Sequence, residues 1–127
     1  MLVVARANVS PQLRRGPLTV DQAPLAGLTR RQLEGRSWRR IRSGLYAWAG
    51  LPDGPLLTLR ALHLLLPAGS AFSGLTAWWL HGLDVKLPTP VEATPPYGTG
   101  VSARAGLSLK HGSLPPDMVS RLGLPVT

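Results

Sequence analysis

The chain has 127 residues, of which 44% are apolar, no cysteine, and a net charge of +8 at neutral pH. This length suits one medium domain or two very small ones, and the apolar content excludes a disordered tail. The lack of cysteine excludes disulfides, thiolate zinc sites and cysteine nucleophiles, and it fits the reducing cytoplasm where we expect the protein to be. No stretch reaches the roughly 18 apolar residues that a membrane span needs, so we expect no membrane partner.

The positive charge is concentrated in the first part of the chain. Residues 1–50 contain nine arginines and two acidic residues, for a net charge of +7, whereas residues 51–127 carry +1. This asymmetry predicts one surface that binds a polyanion. A basic but merely solvated surface is the alternative.

The first predicted elements are two short helices that follow a flexible N-terminal arm, residues 1–16. Leu18–Gly27 predicts a short helix and a turn. Thr29 is a suitable N-cap for a second helix, Arg30–Glu34, and Gly35 ends it.

A hairpin is predicted next. Trp38–Ile41 and Leu45–Trp48 predict two strands around Ser43-Gly44, a turn dipeptide. Helix, helix and hairpin is the order of a winged helix. We therefore predict a winged helix-turn-helix unit over residues 17–50.

The remainder, residues 55–127, predicts a small mixed α/β region of two helices followed by short strands, which makes the chain α+β. Pro55 opens the first of these helices and Ser73 caps the second. The predicted elements are the helices Leu56–Leu66 and Leu75–His81 and the strands Val91–Thr94, Leu107–His111 and Met118–Leu122.

Seven side chains of the predicted second helix and wing form the candidate DNA-binding site: Arg30, Arg31, Gln32, Arg36, Arg39, Arg40 and Arg42. The second helix of such a pair enters the major groove, where Gln32 can read adenine. The arginines that follow it can reach phosphates or the minor groove. Duplex DNA is the expected partner, ahead of RNA or another anion.

Aromatic residues lie among and beyond these arginines. Trp38, Tyr46 and Trp48 can stack single-stranded bases, but anchoring the wing to its helices is the interpretation we favour. Trp78-Trp79 can anchor a protein interface, and here too we favour core packing.

No catalytic pattern is present in the sequence. His63, His81 and His111 match no metal-binding spacing, and there is no phosphate-binding loop, dinucleotide fingerprint or paired-carboxylate motif. We therefore expect no enzyme activity, no metal and no cofactor.

Several segments in order resemble the N-terminal part of AbiEi-family antitoxins, in particular the actinobacterial AbiEi-type transcriptional regulators. They are Gly27–Arg31, Trp38–Ile41, Gly44–Ala47, Leu75–Leu83, Pro90–Glu92, Ser113–Pro116 and Gly123–Thr127. The resemblance covers about residues 17–127. It implies a bacterial DNA-binding regulator that represses its own operon, with a nucleotidyltransferase-like toxin as partner.

The chain differs from this pattern in three places. Val9–Pro17 lacks the first helix, and Thr29–Trp38 is about one helical turn short. Relatives continue beyond Thr127 into a further helix and, in many, a domain resembling very-short-patch-repair endonucleases. We therefore expect the α/β region to be incomplete at its C-terminus, and self-association through Gly123–Thr127.

Two alternatives stay open. The chain can be the non-catalytic N-terminal fragment of such an endonuclease protein. It can also be a protein-interaction module that binds a toxin.

Overall fold

The computed structural model describes residues 11–42, 44–96, 106–110, 114 and 118–127. Within them the protein is mixed α+β, with three α-helices and two sheets, which confirms the predicted class. The chain divides into two compact units, Met1–Leu64 and Leu65–Thr127. No helix in the described part is long and apolar enough to cross a membrane. Most of the predicted arm, Ser43 of the predicted turn, His111, and Ser113, Pro115 and Pro116 of the resemblance lie outside the described residues.

The first unit is built on a three-stranded antiparallel sheet whose central strand is β3, with β1 and β2 on either side. In chain order its elements are a 3-10 turn at Pro11–Arg14, β1 (Leu18–Thr19), a 3-10 turn at Pro24–Ala26, α1 (Arg30–Leu33), β2 (Trp38–Arg42), β3 (Leu45–Trp48) and α2 (Pro55–His63).

The helix predicted over Leu18–Gly27 is wrong. Leu18 and Thr19 form a strand against β3, and the Leu18 side chain is buried in the core. Thr19 and Gln22 then close a turn, in which each backbone N–H donates to the side-chain oxygen of the other at 2.9 and 3.1 Å. Pro24 begins only a 3-10 turn, because it has no N–H to donate within a helix that started earlier.

The second predicted helix is confirmed as α1, a single turn with a capping box. The Thr29 N–H donates to Gln32 Oε1 at 2.7 Å, and the Gln32 N–H donates to Thr29 Oγ1 at 3.2 Å. These two bonds satisfy backbone donors that a helix start leaves without partners. Leu33 is buried with Trp38 and Leu18, which holds α1 on the sheet.

Both predicted hairpin strands are confirmed, and their register explains why Trp38 and Ile41 break the apolar alternation. Arg40 lies opposite Tyr46 but Arg42 lies opposite Leu45, so β2 contains a bulge that shifts the faces by one residue. Before the bulge, residues opposite each other share a face. Trp38, Arg40 and Tyr46 therefore lie on one face of the hairpin.

Helix α2 belongs to the first unit, although the sequence predicts it as the start of the second region. It runs from Pro55 to His63 and contacts β3. Leu45 and Ala47 of β3 and Leu59 and Leu62 of α2 are fully buried. Burial of these side chains favours α2 packing on the hairpin unit.

The second unit contains a five-stranded mixed sheet in the order β6-β5-β4-β8-β7. Its elements are β4 (Ala71–Phe72), α3 (Gly74–Leu80), β5 (Val91–Thr94), β6 (Leu107–Leu109), β7 (Val119–Arg121) and β8 (Leu124–Val126). Helix α3 contacts β5. Ser73 precedes α3 as predicted but makes no side-chain cap. Its Oγ instead accepts a hydrogen bond from Thr94 Oγ1 at 3.0 Å.

Strand β8 is an interior strand, which changes the surface expected for self-association. It pairs with β4 in parallel and with β7 in antiparallel orientation, and Leu124 and Val126 are buried. The edge strand next to β8 is β7. Val119 of β7 is exposed, and so is Leu122, which directly follows the strand.

Candidate nucleic-acid interface

Five of the seven predicted site residues are exposed arginines of α1, the turn after it and β2. They are Arg30, Arg31, Arg36, Arg40 and Arg42. Within the described residues, only Arg30 among these five has an acidic partner. Its Nε lies 3.7 Å from Glu34 Oε1, and both side chains are largely exposed. Such a surface pair contributes little, so the segment keeps a large excess of positive charge.

Arg39 differs from its neighbours because the protein itself holds its guanidinium. Nη1 donates to the Leu51 carbonyl and Nη2 to the Ala49 carbonyl, both at 3.1 Å. The side chain is half-buried and lies on the face opposite Arg40. The Arg39 side chain therefore links β2 to the segment that follows β3. Only its remaining N–H donors are available to DNA.

The side chain of Gln32 also makes a hydrogen bond to the protein itself, at the start of its own helix. Its Oε1 accepts the Thr29 N–H, so the carbonyl half of the amide is committed to the cap. Adenine recognition uses both halves of a glutamine amide. This arrangement leaves the NH2 group of the amide, with its two N–H donors, for a base or phosphate.

Arg14 lies in the predicted N-terminal arm, but its side chain contacts the hairpin. Its Cζ lies 5.0 Å from the ring centroid of Trp48, a cation–π distance. No local sequence pattern predicts this contact, because Trp48 lies far along the chain from Arg14. With Arg14 and Arg15, the described part of the first unit, residues 11–64, contains nine arginines and three acidic residues.

The aromatic residues divide between core and surface. Trp38 is only 7% exposed, and Tyr46 and Trp48 pack against the same core, which agrees with the anchoring role expected for them. Trp78 does not follow the expected core packing, because it is 54% exposed. Residue Leu75, three positions earlier on α3, is 44% exposed and lies on the same helix face.

A cleft of about 590 Å³ opens between α1 and the hairpin face of the first unit. Its lining includes Leu33, Trp38 and Tyr46 together with the charged residues Arg30, Glu34 and Arg40. Local sequence patterns do not predict this cleft, because it forms only when the one-turn helix α1 packs against the hairpin.

Metal-binding residues do not cluster in the part of the chain that the structure describes, where no group of three His, Asp or Glu side chains could hold an ion. His81 instead lies with Nε2 3.1 Å from the Thr127 carbonyl.

No protein-family model matches this chain. A search of curated proteins likewise finds no match.

Proposed function

We propose that the first unit binds duplex DNA and that the protein is a transcriptional regulator of the antitoxin kind that its sequence resembles. The observation that carries the proposal is the run of five exposed arginines from Arg30 to Arg42, with a single acidic partner. Guanidiniums without protein partners pair well with phosphates, and neutralising phosphates releases counterions, which drives binding.

The order of elements supports a winged-helix mode of binding. Two 3-10 turns and the one-turn helix α1 precede the β2–β3 hairpin, and the sheet order β1-β3-β2 places the first strand beside the last. In this arrangement α1 is the element that approaches the groove and the hairpin is the wing. Because α1 has one turn and the Gln32 carbonyl oxygen is used in its capping box, we propose that phosphate contacts supply most of the affinity and base contacts little.

The salt dependence of DNA binding tests the proposal. Log affinity for duplex DNA is measured against log salt for the parent chain and for the triple variant Arg31→Ala, Arg40→Ala, Arg42→Ala. These three side chains are exposed and have no partner among the described residues. Each phosphate contact contributes roughly 0.9 to the slope, so the triple variant is expected to lower it by about 2–3.

Arg121→Ala is the matched control, because Arg121 is also exposed but lies on β7 of the second unit. This variant is expected to leave the slope unchanged. An unchanged slope in a folded triple variant would remove the arginine run from the interface. A parent chain that binds no duplex at low salt would refute the proposed function.

A second function, binding of a protein partner such as a nucleotidyltransferase-like toxin, is favoured by the exposure of Trp78 and Leu75 on α3. Exposed aromatic side chains of this kind often anchor interfaces. Co-purification of the chain with the product of a neighbouring toxin gene tests it. Trp78→Ala is expected to abolish the complex, whereas the triple arginine variant should keep it.

A further inference from the structure

The cleft between α1 and the hairpin has the size and lining of a small-ligand site. Its volume of about 590 Å³ lies within the range of about 300–1,000 Å³ typical of such sites. Buried Leu33 and Trp38 form an apolar floor, and the charged groups are the exposed side chains of Arg30, Glu34 and Arg40. An apolar floor with a few polar groups is how proteins orient a ligand.

We propose that this cleft binds a nucleotide whose base carries an amino group, either as a free nucleotide or as an unpaired nucleotide of a strand. Three lining side chains match three features of such a ligand: the ring face of the base, the phosphate, and the edge of the base that carries the amino group. Tyr46 is half-buried and offers a ring on which a base stacks. Arg40 lies opposite Tyr46 in the hairpin and on the same face, where it is placed to bind the phosphate.

Glu34 provides the selectivity for an amino group. Its Oε1 lies near Arg30 Nε, and no donor among the described residues reaches its other oxygen, Oε2. An ionised carboxylate only accepts hydrogen bonds, and the Arg30 Nε, at 3.7 Å, is too far to occupy Oε1 with one. The two oxygens together therefore favour a base edge with an N–H beside an amino group, as in guanine. Thymine has only one ring N–H to offer. The ion pair with Arg30 also reduces repulsion between Glu34 and a phosphate.

The cleft and the proposed duplex-binding surface share Arg30 and Arg40 but differ in their other members. Tyr46 and Glu34 belong to the cleft alone, whereas Arg31 and Arg42 do not line it. The nucleotide site therefore does not depend on duplex binding, and variants can separate the two.

Calorimetric titration tests the proposal. The full chain is titrated with deoxyguanosine monophosphate and, separately, with thymidine monophosphate. Saturable binding of the guanine nucleotide is expected, with the thymine nucleotide weaker. Tyr46→Leu should weaken guanine nucleotide binding by about fivefold to 150-fold, the range for loss of one stacked base, and Tyr46→Phe should restore it. Glu34→Gln, at an exposed position, should remove the preference for guanine.

Arg40→Gln should weaken binding by about tenfold or more through loss of a charge-assisted hydrogen bond. Its matched control, Arg121→Gln, removes the same charge at an exposed position on β7 of the second unit and should change binding by less than about twofold. A single-stranded oligothymidine with one central guanine distinguishes the sources. Binding of this strand that is tighter than both the free nucleotide and an all-thymine strand of the same length identifies the strand as the ligand. A strand that binds no tighter than the all-thymine strand, beside saturable binding of the free nucleotide, identifies the free nucleotide.

Two results would overturn the proposal: no saturable binding of either guanine ligand at millimolar concentration, or equal binding by the parent, Tyr46→Leu and Glu34→Gln chains. Failure of the cleft is distinguishable from failure of duplex binding. A chain that keeps its salt-dependent duplex affinity but binds no guanine ligand contradicts the cleft alone. A chain that binds the guanine ligand but no duplex contradicts only the proposed function.

Discussion

Replacement of Arg39 is expected to destabilise the first unit without changing the contacts that this unit makes with DNA phosphates. The guanidinium donates to two carbonyls, those of Ala49 and Leu51, at 3.1 Å each. Hydrogen bonds from a charged donor contribute about 1.5–3 kcal/mol each. The side chain is only half-buried, and water can replace the lost donors, so we expect Arg39→Ala to lower the free energy of unfolding by about 2 kcal/mol in total.

This loss is large for a unit of 64 residues, because folded proteins are stable by only about 0.05–0.15 kcal/mol per residue. Arg39→Lys should recover about half of the loss, about 1 kcal/mol, since an ammonium cannot present two parallel donors to two carbonyls. Urea unfolding followed by circular dichroism and tryptophan fluorescence measures both variants.

Arg40→Ala is the control for this experiment, because Arg40 is the adjacent residue of β2 but its side chain is exposed and makes no hydrogen bond or ion pair among the described residues. Its effect on unfolding should stay within about 0.5 kcal/mol. Equal destabilisation by Arg39→Ala and Arg40→Ala would refute the structural role. A fall of about 0.9 in the salt slope of duplex binding for Arg39→Ala would instead place Arg39 on the DNA.

Three further predictions concern the cap, the start of α3 and the edge strand. Thr29→Ala should cost about 1 kcal/mol in urea unfolding through loss of the capping box, and Thr29→Ser should cost less; equal costs would contradict the cap. Gly74→Ala places a Cβ on the Glu92 carboxylate, which accepts the Leu75 N–H at the start of α3, so this variant should unfold at lower urea than Gly82→Ala. Gly82 also has a positive φ but open space around it, and similar midpoints for the two would count against the overlap. The exposed edge strand β7 should support self-association that Val119→Lys prevents; a parent chain of constant monomeric mass across concentrations in light scattering would show that the edge is inert.

The sequence by itself determined the features that depend on neighbours a few positions apart. The capping box of α1 needs only Thr29 and Gln32, and the two strands of the hairpin follow from local composition and a short turn. The excess of arginine in the first unit and the mixed α+β class could also be predicted, because both depend on composition and on the order of short segments.

Tertiary structure decided what depends on partners far along the chain. Leu18 becomes part of a strand because Tyr46 lies opposite it, although the local sequence favours a helix. Arg39 and Arg40 are identical and adjacent in sequence, but alternation along β2 turns one toward backbone carbonyls and the other toward solvent and the cleft. Local patterns specify a backbone preference, whereas the burial and hydrogen bonding of a side chain depend on which distant segment packs against it.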